Sequence, residues 1–103
     1  KREDTPPDQT WQIRKEESLL VLKNTNDIDV LTLWIGDKLS NMRSIYREWK
    51  VSGDAMWNNF NQKDPKMQAW YYCTIADLTS RLSNTSAWIE YKTLTDIVFK
   101  KGN

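Results

Sequence analysis

Between residues 28 and 49 a series of apolar side chains, Ile28, Leu31, Ile35, Leu39, Met42, Tyr46 and Trp49, recurs three or four positions apart. At about 100° per residue these positions share one narrow arc of a helix, and Trp34 and Ile45 widen it on one flank. The spacing predicts a long helix over about residues 27–51. Asn26 stands at its start as a cap, with Asp29 three residues on in the capping-box position. Gly53 follows its end, as expected of a C′ residue.

The rest of the chain is read against that helix. Three glycines in 103 residues leave no hairpin signals, and the fold expected is all-α: a compact domain of four or five helices. Thr10 caps a first helix through TWQIRKEESLLVLKN, in which the flanking Arg, Lys and Glu residues favour helix over strand for the Leu19–Leu22 run. A short element at about 54–61 carries Met56, Trp57 and Phe60. Asp64-Pro65 restarts the chain with a cap residue and a proline at the first helical position. From there Met67, Tyr71, Ile75, Leu78 and Leu82 share one face, while Ala69, Cys73, Ala76 and Ser80 make the opposite face small. A small face lets another helix approach closely, so a central helix at about 65–83, covered on both sides, is expected. A last helix carries Trp88, Tyr91, Leu94 and Val98 and ends in Lys100, Lys101 and Gly102, cations followed by glycine. Residues 1–9, charged and holding two prolines, read as a disordered lead-in or linker, with one helical domain over 10–103. The chain opens on Lys1 and is read as an excised domain of a longer protein.

Composition removes most chemistry. There is no histidine, which excludes imidazole-based triads, Cys–His pairs and imidazole metal sites. The single cysteine, Cys73, cannot form an internal disulfide and reads as a packing residue, so a reducing intracellular compartment is expected, nucleus or cytoplasm undistinguished. The scattered glycines form no phosphate loop. Glu16 and Glu17 are adjacent and point about 100° apart on a helix, unlike an acid/base pair. The expectation is therefore no enzyme, no cofactor and no metal. No apolar run approaches the roughly 20 residues of a membrane span. Fifteen basic against fourteen acidic residues leave a net charge of +1, unlike a strongly basic nucleic-acid module.

What remains is binding. Arg43, Arg47 and Lys50 form a basic stripe on the long helix, about 90° from the apolar seam. It reads either as a surface for phosphates or an acidic partner, or as a solvated flank whose cations lie over Trp49 or pair with Asp54 and Asp64. Trp57 and Phe60 read either as contacts inside the fold or as an exposed anchor, and Tyr72 sits off the main seam, partly exposed. The expected function is a non-catalytic interaction module of a larger protein that binds another protein, with these six residues as candidate contacts and the oligomeric state open.

A second reading rests on Trp11, Leu19, Leu20 and Leu22, followed by LWIGDKL and MRSIYREWK. Over residues 11 to about 50 this pattern resembles the Myb/SANT family. The resemblance implies a nucleic-acid-binding helical domain in which Arg43, Arg47 and Lys50 lie on the DNA-reading helix. The periodicity of 28–49 shows no break between the family's second and third helices, and some 50 residues follow that a three-helix domain does not need.

Overall fold

The computed structural model describes residues 7–60 and 62–99, and these form four α-helices and two short 3-10 segments, with no strand among the described residues. The helices are α1 (Pro7–Lys23), α2 (Ile28–Ser52), α3 (Pro65–Leu78) and α4 (Ser86–Phe99). The 3-10 segments are Gly53–Asn59 after α2 and Ser80–Leu82 after α3. The all-α expectation holds.

Helix α1 starts at Pro7, three residues ahead of the expected cap and inside the stretch read as a linker. Proline suits a first turn, because its φ is already helical and its missing N–H needs no acceptor. Residues 1–6 and the Lys100–Gly102 ending lie outside the described residues. At the far end of α1, Asn24 Nδ2 and Thr25 Oγ1 donate to the carbonyls of Leu20 and Val21, at 3.0 and 2.8 Å. The cap of α2 is Asp27, one residue later than expected: its carboxylate accepts from the Asp29 N–H at 2.9 Å. Asn26 is engaged elsewhere, accepting from the Arg81 guanidinium through its backbone carbonyl and its side-chain oxygen, each at 2.9 Å.

Helix α2 runs unbroken through Gly36 and Ser40-Asn41, where the Myb/SANT pattern would need a turn. Leu31, Ile35, Leu39, Met42 and Ile45 are buried along it, while Tyr46 and Trp49 at its end are only half-buried. Trp49 therefore belongs to the rim of the core rather than its centre. Gly53 takes φ +61° and returns its N–H to the Trp49 carbonyl, which ends the helix in a conformation that L side chains rarely adopt.

Asp64 caps α3 by accepting from the Lys66 N–H at 2.9 Å, with Pro65 in the first turn, as the sequence indicates. The helix then stops at Leu78, short of the expected 83. Thr79 is fully buried, and its hydroxyl donates to the Ile75 carbonyl at 2.7 Å, competing with the backbone ladder. The 3-10 turn that follows still delivers Leu82 into the core.

The broadest contact in the molecule is between α2 and α4; α4 also packs on α3, and α3 on α1. So α3 has helices on two sides, but its small face is covered unevenly. Ala76 is buried, Ala69 and Cys73 are half-buried and Ser80 is exposed. Trp11 docks α1 by meeting Trp70 and Tyr71 edge-on, at centroid distances of 6.3 and 6.0 Å. Across the α3–α4 contact, Tyr91 Oη donates to the Tyr72 carbonyl at 2.6 Å and Trp88 Nε1 to the Ala76 carbonyl at 3.2 Å. No buried side-chain polar atom among the described residues lacks a partner.

The Tyr91 contact can be tested singly. Tyr91→Phe keeps the ring and removes a buried donor, while the Tyr72 carbonyl keeps its helical bond. We expect a loss of about 1 kcal/mol in urea unfolding.

Buried tyrosines also set an alkaline limit. Burial first, then the neighbouring Tyr71, pushes the Tyr72 phenol up to about 12; burial, then Tyr72, raises Tyr91 in the same direction. Unfolded tyrosine ionises near pH 10, so both states hold the proton below that pH and the contribution is fully present there. As pH rises from about 10 through about 12, the unfolded state releases the Tyr72 proton first and the contribution is lost. Urea midpoints should fall steadily above about pH 10, at up to about 1.4 kcal/mol per pH unit for each buried tyrosine.

Candidate functional site

The six candidate contact residues do not form one surface. Arg43 is already occupied. Its Nε and one terminal nitrogen reach both carboxylate oxygens of Glu90 on α4, each at 2.7 Å. This two-pronged pair raises the Arg43 pKa and holds the Glu90 carboxyl below its usual range, the hydrogen bond being the leading cause in both. The guanidinium thus ties α2 to α4 rather than waiting for a phosphate. Arg47 is exposed and donates to Ser44 Oγ at 3.2 Å. The Lys50 ammonium lies 5.3 Å from the centre of the Tyr46 ring.

Of the two readings of Trp57 the structure shows the contact inside the fold, and the partial exposure expected of Tyr72 is corrected. Trp57 is 2% exposed and Tyr72 7%, so both are core. The Trp57 ring stacks on Phe99 at 5.6 Å and leans on Phe60 at 5.3 Å. Tyr72 also stacks on Phe99, at 6.3 Å, and borders a hollow with Asn41. Phe60 is half-buried and, with Tyr72, Asn41, Ser44, Ile45 and Glu48, lines a shallow hollow of about 340 Å³.

Lys50 and Trp57 both line a larger open cleft of about 660 Å³. Three segments build it. The end of α2 and the following 3-10 turn supply Trp49, Lys50, Asp54 and Trp57; the first turns of α3 supply Lys66 and Ala69; the last turn of α4 supplies Val98 and Phe99. Gly53 ends α2 and Asp64-Pro65 starts α3, so that Trp57 in the intervening 3-10 turn and the exposed Lys66 both come to line the cleft. Trp49 Nε1 donates to Asp54 Oδ1 at 3.4 Å, and its ring stacks on Tyr46 at 6.4 Å.

The volume falls within the roughly 300–1,000 Å³ of small-ligand and side-chain pockets. Its walls are aromatic and aliphatic, and two ammonium groups and one carboxylate stand among them. Such a cleft can take a flat apolar group and steer a neighbouring anion. Lys66 and Phe99 are contributors that local sequence patterns do not single out, and Trp49 reads there only as a seam residue. Among the described residues no three of Asp, Glu and Cys gather where they could hold a metal ion, and no helix is long and apolar enough to cross a membrane.

The chain matches no protein-family model, no curated protein and no solved structure.

The Arg43–Glu90 pair generates a direct test. Arg43→Glu sets two carboxylates side by side and should lower the thermal midpoint, while adding Glu90→Arg should recover most of the loss. Both effects should shrink as salt is raised, since the pair is exposed.

Proposed function

We propose that this chain is a non-catalytic helical interaction module that binds another protein in the cleft between the ends of α2 and α4 and the start of α3. The observation that carries the reading is the cleft's composition. Trp49 and Phe99, both half-buried, offer aromatic surface with the buried Trp57 behind it, and the exposed Lys50 and Lys66 line the same cleft. Interface anchors are concentrated in well-packed pockets rich in aromatic side chains and ringed by a polar rim. The occupant that matches is a short peptide segment presenting an aromatic or aliphatic side chain next to a carboxylate. Near-neutral net charge and a long helix without a recognition turn favour a protein over nucleic acid, and so does the engagement of Arg43 with Glu90. A single cysteine and no histidine fit a module without catalytic duty in a reducing compartment.

Selection from a displayed random-peptide library would test the cleft. Enriched peptides should pair an aromatic residue with Asp or Glu. Their affinity should drop about tenfold or more with the Lys50→Glu/Lys66→Glu double variant. It should drop again with Ala69→Phe, which fills the cleft, while circular dichroism stays that of wild type. Peptides that bind wild type and both variants equally would remove the cleft as the site. Preferential binding of DNA or RNA, with a log–log salt slope near −0.9 per phosphate contacted, would instead support the nucleic-acid reading.

A further inference from the structure

We propose that the chain assembles head to tail, the outward face of α1 in one copy seating in the cleft of the next; this rests on the cleft reading above and names the partner as a second copy of this chain. Helix α1 carries two opposed faces. Trp11, Leu19 and Leu22 are buried, with Trp11 set against Trp70 and Tyr71 of α3. On the other side Ile13, Leu20 and Val21 are 42%, 59% and 64% exposed. At about 100° per residue Ile13, Glu17 and Leu20 fall within about 60° of one another, and Glu16 lies one helical turn before Leu20. Glu16 is exposed and accepts from Gln12 Nε2 at 3.2 Å, a neutral donor that leaves its charge in place. Arg14 lies about 120° around the helix from Leu20, and Lys23 follows a turn beyond it, so the acidic part of this face is the stretch 16–20.

The solvent face of α1 therefore presents aliphatic side chains beside carboxylates, which is the chemistry that suits the cleft. The half-buried Trp49 and Phe99 supply apolar surface there, and the exposed Lys50 and Lys66 supply two positive charges, set against the carboxylate of Asp54, which accepts from the Trp49 indole at 3.4 Å. Leu20 offers the aliphatic group, and Glu16, a turn away on the same face, offers the carboxylate for an ammonium. Docking removes from water apolar area that the separate molecule leaves exposed. A net charge of +1 leaves little repulsion between copies. The cleft is lined from α2, the 3-10 turn, α3 and α4, so the two surfaces belong to different parts of one molecule. Such a contact is heterologous: each dimer still offers one unoccupied cleft and one unoccupied α1 face, and growth continues past two copies unless a ring closes.

Sedimentation velocity of the full chain over a concentration series reads the assembly, and two double variants divide it. Glu16→Lys/Leu20→Lys alters the α1 face and keeps the cleft, while Lys50→Glu/Lys66→Glu alters the cleft and keeps the α1 face. All four positions are exposed, so circular dichroism should match wild type. We expect the wild-type sedimentation coefficient to rise with concentration past that of a dimer and to fall back as salt is raised. Each variant alone should remain a monomer to concentrations about tenfold higher or more, whereas an equimolar mixture of the two should form a dimer and stop there. A mixture no larger than its components overturns the proposal, and so does a wild type that stays monomeric at about 1 mM. If that monomer still binds the peptides selected against the cleft, self-assembly alone is lost; if it does not, the cleft reading is lost with it. A measurement without any variant guards against misfolding: carbodiimide cross-linking of mixed nitrogen-14 and nitrogen-15 chains should join Glu16 or Glu17 of one isotopic copy to Lys50 or Lys66 of the other. Cross-links between copies that join other surfaces overturn the proposal as well.

Discussion

The fold turns on how α4 is seated. Tyr91, fully buried, places its hydroxyl on the Tyr72 carbonyl, and one turn along α3 the Trp88 indole N–H meets the Ala76 carbonyl. Both acceptors are backbone oxygens of a helix, and helical carbonyls have a second lone pair to offer. The two contacts set α4 in position along α3 as well as its distance from it. Helix α2, which has its broadest contact with α4, is thereby placed too, and the exposed Arg43–Glu90 pair fastens the outer edge of that contact. Move α4 by one turn and the Trp57–Phe99 stack, the Tyr72–Phe99 stack and the cleft they border are lost together.

Much of this was legible where the signal is local. The span of α2 follows from its unbroken seam, its end from Gly53, and the start of α3 from Asp64-Pro65, each a matter of a few neighbouring residues. The break at Thr79 was not legible, because Leu82 keeps the register that a continuous helix would give. Only the burial of the Thr79 hydroxyl next to the Ile75 carbonyl shows why the helix yields there. Asn26 and Asp27 are equally good caps on paper, and Arg81, 55 positions from Asn26, decides between them.

Function was less legible for the same reason in stronger form. Arg43 looks like a vacant cation until Glu90 arrives from 47 positions away. Trp57 and Tyr72 look like detached aromatics until Phe99 stacks against both of them. Of the six candidate contacts, Lys50 and Trp57 share a cleft, Phe60 and Tyr72 border a separate hollow, and Arg43 and Arg47 line neither. Periodicity reports which face of a helix is apolar. It carries no information about which distant side chain will close over that face, and the cleft at the end of the bundle is built from such closures.

The cleft's three walls have a consequence for the order in which the protein comes into being. Trp49, Lys66 and Phe99 belong to segments far apart in the chain, and the last of them closes the final turn of α4. During synthesis the chain emerges from its N-terminal end, at roughly 5–20 residues per second. Helix α2 can coil long before α4 exists, but the cleft has no third wall until residue 99 has cleared the ribosome. Nascent chains and truncated fragments therefore expose Trp57 to solvent without offering a pocket. Any ligand of the cleft would thereby distinguish a domain synthesised through residue 99 from a shorter one.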